Sequence, residues 1–177
     1  MSDPAPLLGR EGIEEAFGRL GDRLAKRGVV ADIYVFGGAA MALAYDSRRA
    51  TRDVDALFKP HGIVLEEAQA VAAELGLPSW WLNEQASSYA APGGDPSASR
   101  VFDHPGLRVF AASPEHLLAM KALAARPRDA QDIKQLTEVL NLHTVAEVLE
   151  LVQDVFPEEE PPVRLRLLLE DIFGQGT

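Results

Sequence analysis

The chain reads as an α+β protein, a small mixed β-sheet with helices packed on it followed by a helical carboxyl-terminal extension. Three observations predict this. Runs of β-branched and aromatic residues alternate with helical-period stretches up to residue 112. From Ser113 onward the strand-like runs stop and helix start and stop signals take over. A chain of 177 residues, 47% of them hydrophobic, is also long enough to bury one core or two small ones. The expected organisation is an α/β core over residues 1–112 and a helical region over 113–177.

The elements follow in order. Ile13, Phe17, Leu20 and Leu24, spaced four, three and four apart, form the apolar stripe of a helix over Glu11 to Arg27, closed near Gly28. "VVADIYVF" has the composition of a buried strand. "GGAAMALAY" turns from that strand into a short alanine-rich helix, and "DVDALF" reads as a second strand after the loop "DSRRATR". Val64, Ala68, Val71 and Leu75 mark one face of a helix, with Gly76 placed to cap it and Pro78 beyond. "SWWLNEQ" is expected to be a third strand, "SSYAAPGGDPSAS" a loop, and "LRVFAA" the last strand. Ser113 is an N-cap with Pro114 at the first helical position, and Pro127 separates this helix from one over about Arg128 to Leu140. Thr144 and Glu147 have capping-box spacing for a helix that stops before Pro157. A final helix follows "PEEEPP" and ends near Gly174.

Composition excludes several chemistries. With no cysteine there is no disulfide framework, thiolate zinc site or cysteine nucleophile. No secretory start and no apolar run near the roughly 18 residues of a membrane span are visible, so the cytoplasm is the expected compartment and no membrane partner is expected. A formal net charge of -10 argues against a surface that grips nucleic acid along its length. The charge is uneven: eight acids face two bases from Glu147 onward, whereas Arg48, Arg49, Arg52 and Lys59 surround an aspartate pair. A local anion pocket is compatible with that distribution.

Two of the motifs lie in the first part of the chain. Gly37 and Gly38, between a strand and a helix start, leave backbone N–H groups accessible to an anion, or simply make a tight turn. Asp53 and Asp55, two apart at the entry to a strand, project to one face roughly 6.5 to 7 Å apart along the chain. They form either a solvated edge or a site for one or two divalent ions. The glycine turn fifteen residues before Asp53 favours the second reading.

A third motif is helical. Lys121 falls in a helix that is apolar almost all round, and a buried lysine needs a partner. On the next helix Asp129 and Asp132 point toward the core side while Lys134, Gln135 and Glu138 face away. The alternatives are an internal salt-bridge network, or a phosphate ligand with a general base or orienting carboxylate.

"VFGGAAMALAYDSRRATRDVDALF" together with "SPEHLLAMKALAARPRDAQDI" resembles a minimal nucleotidyltransferase of the polymerase-β superfamily, nearest to the AbiEii and MenT toxin type and its uncharacterised relatives. The resemblance covers roughly Asp32 to Leu140. It implies that Gly37, Gly38, Arg52, Lys121 and Arg128 bind nucleotide, that Asp53 and Asp55 hold Mg2+ or Mn2+, and that Asp53, Asp55, Lys121, Asp129 and Asp132 are catalytic. A nucleoside triphosphate is then the donor substrate. The acceptor is an RNA, such as the 3′ end of a transfer RNA, or a protein, and the helical region completes the active site. The biological setting is the toxin of a toxin-antitoxin pair with an antitoxin protein as partner. The third carboxylate of many superfamily members has no obvious counterpart; Asn83 and Glu84 stand nearest. A catalytically inactive binding module or partner subunit of the same fold is the rival reading.

Other residues carry ordinary expectations. His61, His104, His116 and His143 lack metal-ligand spacing and are read as surface or capping residues, and Trp80 and Trp81 as core and sheet-edge packing. Ser87 and Ser88 resemble no nucleophile elbow, and Glu158 to Glu160 form a solvated turn.

Overall fold

The computed structural model describes residues 4–85, 91 and 93–174. The chain divides into two compact units, one formed by Met1–Ser88 and Ala98–Ala112 and the other by Tyr89–Ser97 and Ser113–Thr177. Ser87 and Ser88, and part of the loop expected around them, lie outside the described residues.

The first unit contains α1 (Arg10–Lys26), β1 (Ala31–Val35), α2 (Gly37–Ala40) running on into a π-helical turn (Met41–Tyr45), and β2 (Val54–Lys59). α3 (His61–Leu75), β3 (Leu82–Asn83), β4 (Ser99–His104) and β5 (Leu107–Ala111) complete it. The strands form one mixed sheet in the order β3-β2-β1-β5-β4. β1 is antiparallel to β2 and parallel to β5, β2 is parallel to β3, and β4 is antiparallel to β5. The expected α+β class with a mixed sheet is what forms.

Alternation sets one face of this sheet. Ala31, Ile33 and Val35 on β1, Val54, Ala56 and Phe58 on β2, and Leu107, Val109 and Ala111 on β5 are all buried, while the residues between them are half-exposed. The predicted stripe Ile13, Phe17, Leu20 and Leu24 of α1 is fully buried. On α3, Val64, Ala68 and Val71 are buried, and Gly76 closes the helix in the left-handed region at φ 67°. The two helices are clamped where Glu67 accepts from Arg23 Nε at 2.7 Å and from an Arg27 guanidinium nitrogen at 3.1 Å.

Two strands depart from the sequence expectation. "SWWLNEQ" contributes only a two-residue ladder, because Trp81 turns into the core instead of extending the strand. Its indole Nε1 donates to Ala68 O at 2.8 Å, its ring lies 6.1 Å from that of Phe17, and its carbonyl accepts from Val54 N at 2.6 Å. Trp80 remains 46% exposed. β4 is a strand the sequence gives no alternating signal for. A register irregularity between Arg100 and Phe102 leaves Val101 and Phe102 both half-buried, so the period of two is broken.

The second unit contains α4 (Pro114–Ala124), a 3₁₀ turn (Pro127–Asp129), α5 (Ala130–Val139), α6 (Val145–Val155) and α7 (Val163–Gly174). Ser113 caps α4 through His116 N, with Pro114 at the first position, and Thr144 and Glu147 form the capping box of α6. Ser113 N also donates to Asp95 Oδ2 at 2.7 Å, which ties Asp95 to the start of α4. His116 is buried at 3% exposure, not a surface residue, because it follows the cap of a helix that is covered almost all round. Burial lowers its pKa against a weaker opposing pull from Asp95. Among the described residues no helix is long and apolar enough to cross a membrane.

Trp81 joins α1, α3 and the start of β2, so Trp81→Ala should destabilise the first unit by about 3–5 kcal/mol. The exposed Trp80→Ala should change stability by less than about 0.5 kcal/mol. Urea unfolding of the two variants beside the unsubstituted chain measures both.

Candidate active site

Because Val54, Ala56 and Phe58 are committed to the core, Asp55 lies on the opposite, half-exposed face of β2. The chain leaving β1 approaches this carboxylate closely. Phe36 N donates to Asp55 O at 3.1 Å, and Gly37 follows at φ 63°. A Cβ at Gly37 would stand 3.2 Å from Asp55 Oδ2, and one at Gly38 would stand 3.0 Å from Thr51 Oγ1. Glycine at 37 therefore has two independent causes, a left-handed backbone and a neighbouring carboxylate.

Asp53 is held differently. β2 begins at Val54, so Asp53 precedes the ladder instead of entering it with Asp55. Thr51 Oγ1 donates to its backbone carbonyl at 3.0 Å, and Asn83 Nδ2 donates to its Oδ2 at 2.9 Å. Thr51 is itself anchored by reciprocal backbone hydrogen bonds with Leu8, at 2.7 and 2.9 Å. Glu84 is turned toward the other end of β2, where it pairs with His61 Nε2 at 2.6 Å and accepts from Phe58 N at 3.4 Å. Arg52 is exposed, with a guanidinium nitrogen 3.5 Å from Ala5 O. In the first unit the structure thus brings together Gly37, Gly38, Thr51, Asp55, Asp53 and Asn83, and keeps Glu84 apart. Among the described residues no group of three or more His, Cys, Asp or Glu is arranged to hold a metal ion.

The second unit assembles its own charged cluster. Lys121 Nζ lies 3.0 Å from Asp129 Oδ1 and 3.0 Å from Asp132 Oδ2, and all three side chains are at most 6% exposed. Arg126 Nε reaches Asp129 Oδ2 at 2.7 Å, and Arg128 is exposed. Burial opposes ionisation of Asp129, but the charge of Lys121 and hydrogen bonds from Arg126 and Lys121 outweigh it and hold the carboxyl below its ordinary range. The buried lysine has the partners its environment demands, and α4 is fastened to the start of α5.

The family model described as a nucleotidyltransferase of unknown function (DUF6036) matches residues 20–169. The chain belongs to this nucleotidyltransferase family. No curated protein and no solved structure matches it. The match spans the glycine turn, the aspartate pair and the lysine helix alike. Two residues of this nucleotidyltransferase that sequence reading did not assign to the site, Thr51 and Asn83, both act on Asp53. Thr51 gives no signal in the sequence. Asn83 does give one, since with Glu84 it stands nearest the position expected for a third carboxylate, but its role as a donor to Asp53 follows only from the fold.

Two outcomes are expected. Gly37→Ala should cost about 1–2 kcal/mol from the left-handed backbone alone, read by urea unfolding, and should displace the Asp55 carboxylate as well. Asp129, with its folded pKa depressed, contributes stability that is present above its unfolded value of about 3.9 and lost as pH falls through the folded value. Unfolding free energies of the unsubstituted chain should therefore fall more steeply below about pH 4 than those of Asp129→Asn.

Proposed function

We propose that this nucleotidyltransferase moves a nucleoside monophosphate from a nucleoside triphosphate to an acceptor hydroxyl, at a site built on Asp53, Asp55 and the Gly37–Gly38 turn. The observation that carries the reading is the approach of Gly37 to Asp55 Oδ2, a cradle that any side chain at 37 would fill. The donors are hard carboxylate oxygens without thiolate or imidazole, the set that suits Mg2+ or Mn2+. Magnesium commonly takes one or two carboxylates and completes its shell with water and substrate phosphates, so Asp53 and Asp55 fit it without a third protein carboxylate. When bound, the ion supplies Lewis acidity to the α-phosphate.

The remaining work falls to the chain. Asp53 and Asp55 supply negative charge for the cation, and the absence of a Cβ at 37 lets the backbone of the turn pass close to Asp55 Oδ2 without crowding it. Arg52, exposed next to Asp53, supplies a mobile cation for the phosphate tail. The reading extends to Lys121, Arg128, Asp129 and Asp132 of the second unit as phosphate-binding and proton-handling groups, and there it rests on the resemblance and on their chemistry alone. The acceptor in this reading is an RNA end, that of a transfer RNA included, or a protein side chain. The resemblance further supports a toxin role with an antitoxin partner.

The test is transfer of label from each of four α-labelled triphosphates, with Mg2+ or Mn2+, to bulk transfer RNA, protein or the chain itself. Label should appear in one acceptor class, and Asp55→Ala should lower it by about a hundred- to a thousandfold, the scale of removing a principal electrostatic group. No incorporation under any combination, or an undiminished Asp55→Ala variant, favours a non-catalytic binding module instead.

A further inference from the structure

The two aspartates reach one neighbourhood by different means. Asp55 is a ladder residue: it stands opposite Asn83 in the β2–β3 register, and its carbonyl is engaged by Phe36 N. Alternation fixes its side chain. Asp53 lies one residue ahead of the ladder, where no sheet partner fixes the direction of its carboxylate. Its direction must come from side chains.

Asn83 is built to give it. Only 8% of the residue is exposed, and each end of its amide is committed. Oδ1 accepts from Gln85 N at 3.1 Å, which identifies the other end as the donor. Nδ2 then donates to Trp80 O at 3.2 Å and to Asp53 Oδ2 at 2.9 Å. An amide oriented by two backbone groups presents one N–H to one carboxylate oxygen. Thr51 restrains the backbone of the same residue through the 3.0 Å bond to its carbonyl. Among the described residues Asp53 makes no ion pair, and these two hydrogen bonds restrain it.

We infer that Asn83 is a positioning residue for the metal-binding carboxylate Asp53, holding Oδ2 so that the group meets a divalent cation in a single orientation. The inference rests on the proposed function. Groups that orient metal ligands in this way are worth 10- to 100-fold in metal affinity. An apolar side chain of the same size leaves Asp53 free to rotate and removes that factor without touching the cation itself.

The experiment is a titration of the full chain with Mn2+ in the presence of a non-hydrolysable triphosphate analogue, followed by the loss of the free-ion electron paramagnetic resonance signal, with the protein-free titration of the same analogue, which itself chelates Mn2+, subtracted. The unsubstituted chain, Asp53→Asn and Asn83→Leu are compared, with thermal unfolding of each. Asn83→Leu should raise the Kd for Mn2+ by about tenfold or more, and Asp53→Asn by at least as much. A merely structural role for Asn83 would lower the melting temperature and leave the Mn2+ Kd of the folded protein unchanged, and that result overturns the inference while sparing the proposed function. If the unsubstituted chain binds Mn2+ no better than Asp53→Asn, both fall. Should the leucine variant not fold, Asn83→Ser, whose hydroxyl is shorter by one bond and stops short of Asp53, is read in the same way.

Discussion

Val54, Ala56 and Phe58 are driven into the core of the first unit, and the pleat of β2 then leaves Asp55 only the opposite face. This constraint organises the surroundings. The antiparallel register of β1 on β2 brings the end of β1 beside Asp55, so the chain must turn there within touching distance of a carboxylate. The parallel pairing of β3 brings Asn83 to the other side. A slip of one residue in β2 would send the acid inward and a valine or alanine outward, and neither the glycine turn nor the asparagine would have anything to meet.

The buried cluster of the second unit obeys a different logic. Lys121 sits in a helix covered almost all round, and its ammonium is tolerated because two carboxylates from the next turn and helix reach it. Removing one partner of such a group is far more damaging than replacing the whole set by apolar residues. The cluster therefore ties α4 to α5 with directional bonds where apolar contact alone would allow sliding.

Much of this was legible in the amino-acid order. The α1 stripe, the Gly76 cap, Ser113 with Pro114, and the Thr144–Glu147 box are local signals, and local signals survive folding. The burial of Lys121, Asp129 and Asp132 also followed from helical period. What escaped depended on partners far away in the chain. β4 has no alternation because its ladder is irregular, "SWWLNEQ" is shortened because Trp81 is claimed by Phe17 and Ala68, and His116 is buried by a neighbourhood its own sequence does not advertise. In the candidate site the glycines and aspartates were readable by type and spacing. The brace on Asp53 was not, because it arises from a side chain thirty residues away.

The order in which the two units are threaded has a consequence for synthesis. The polypeptide enters the second unit at Tyr89–Ser97, returns to the first at Ala98–Ala112 to lay down β4 and β5, and only then builds α4 to α7 of the second unit. As the nascent chain emerges, Asp95 is exposed before Ser113, the group it will clasp, has been made. The sheet can close once β5 is out, but the early segment has to wait for residues still inside the ribosome, so maturation of the second unit is necessarily the later event.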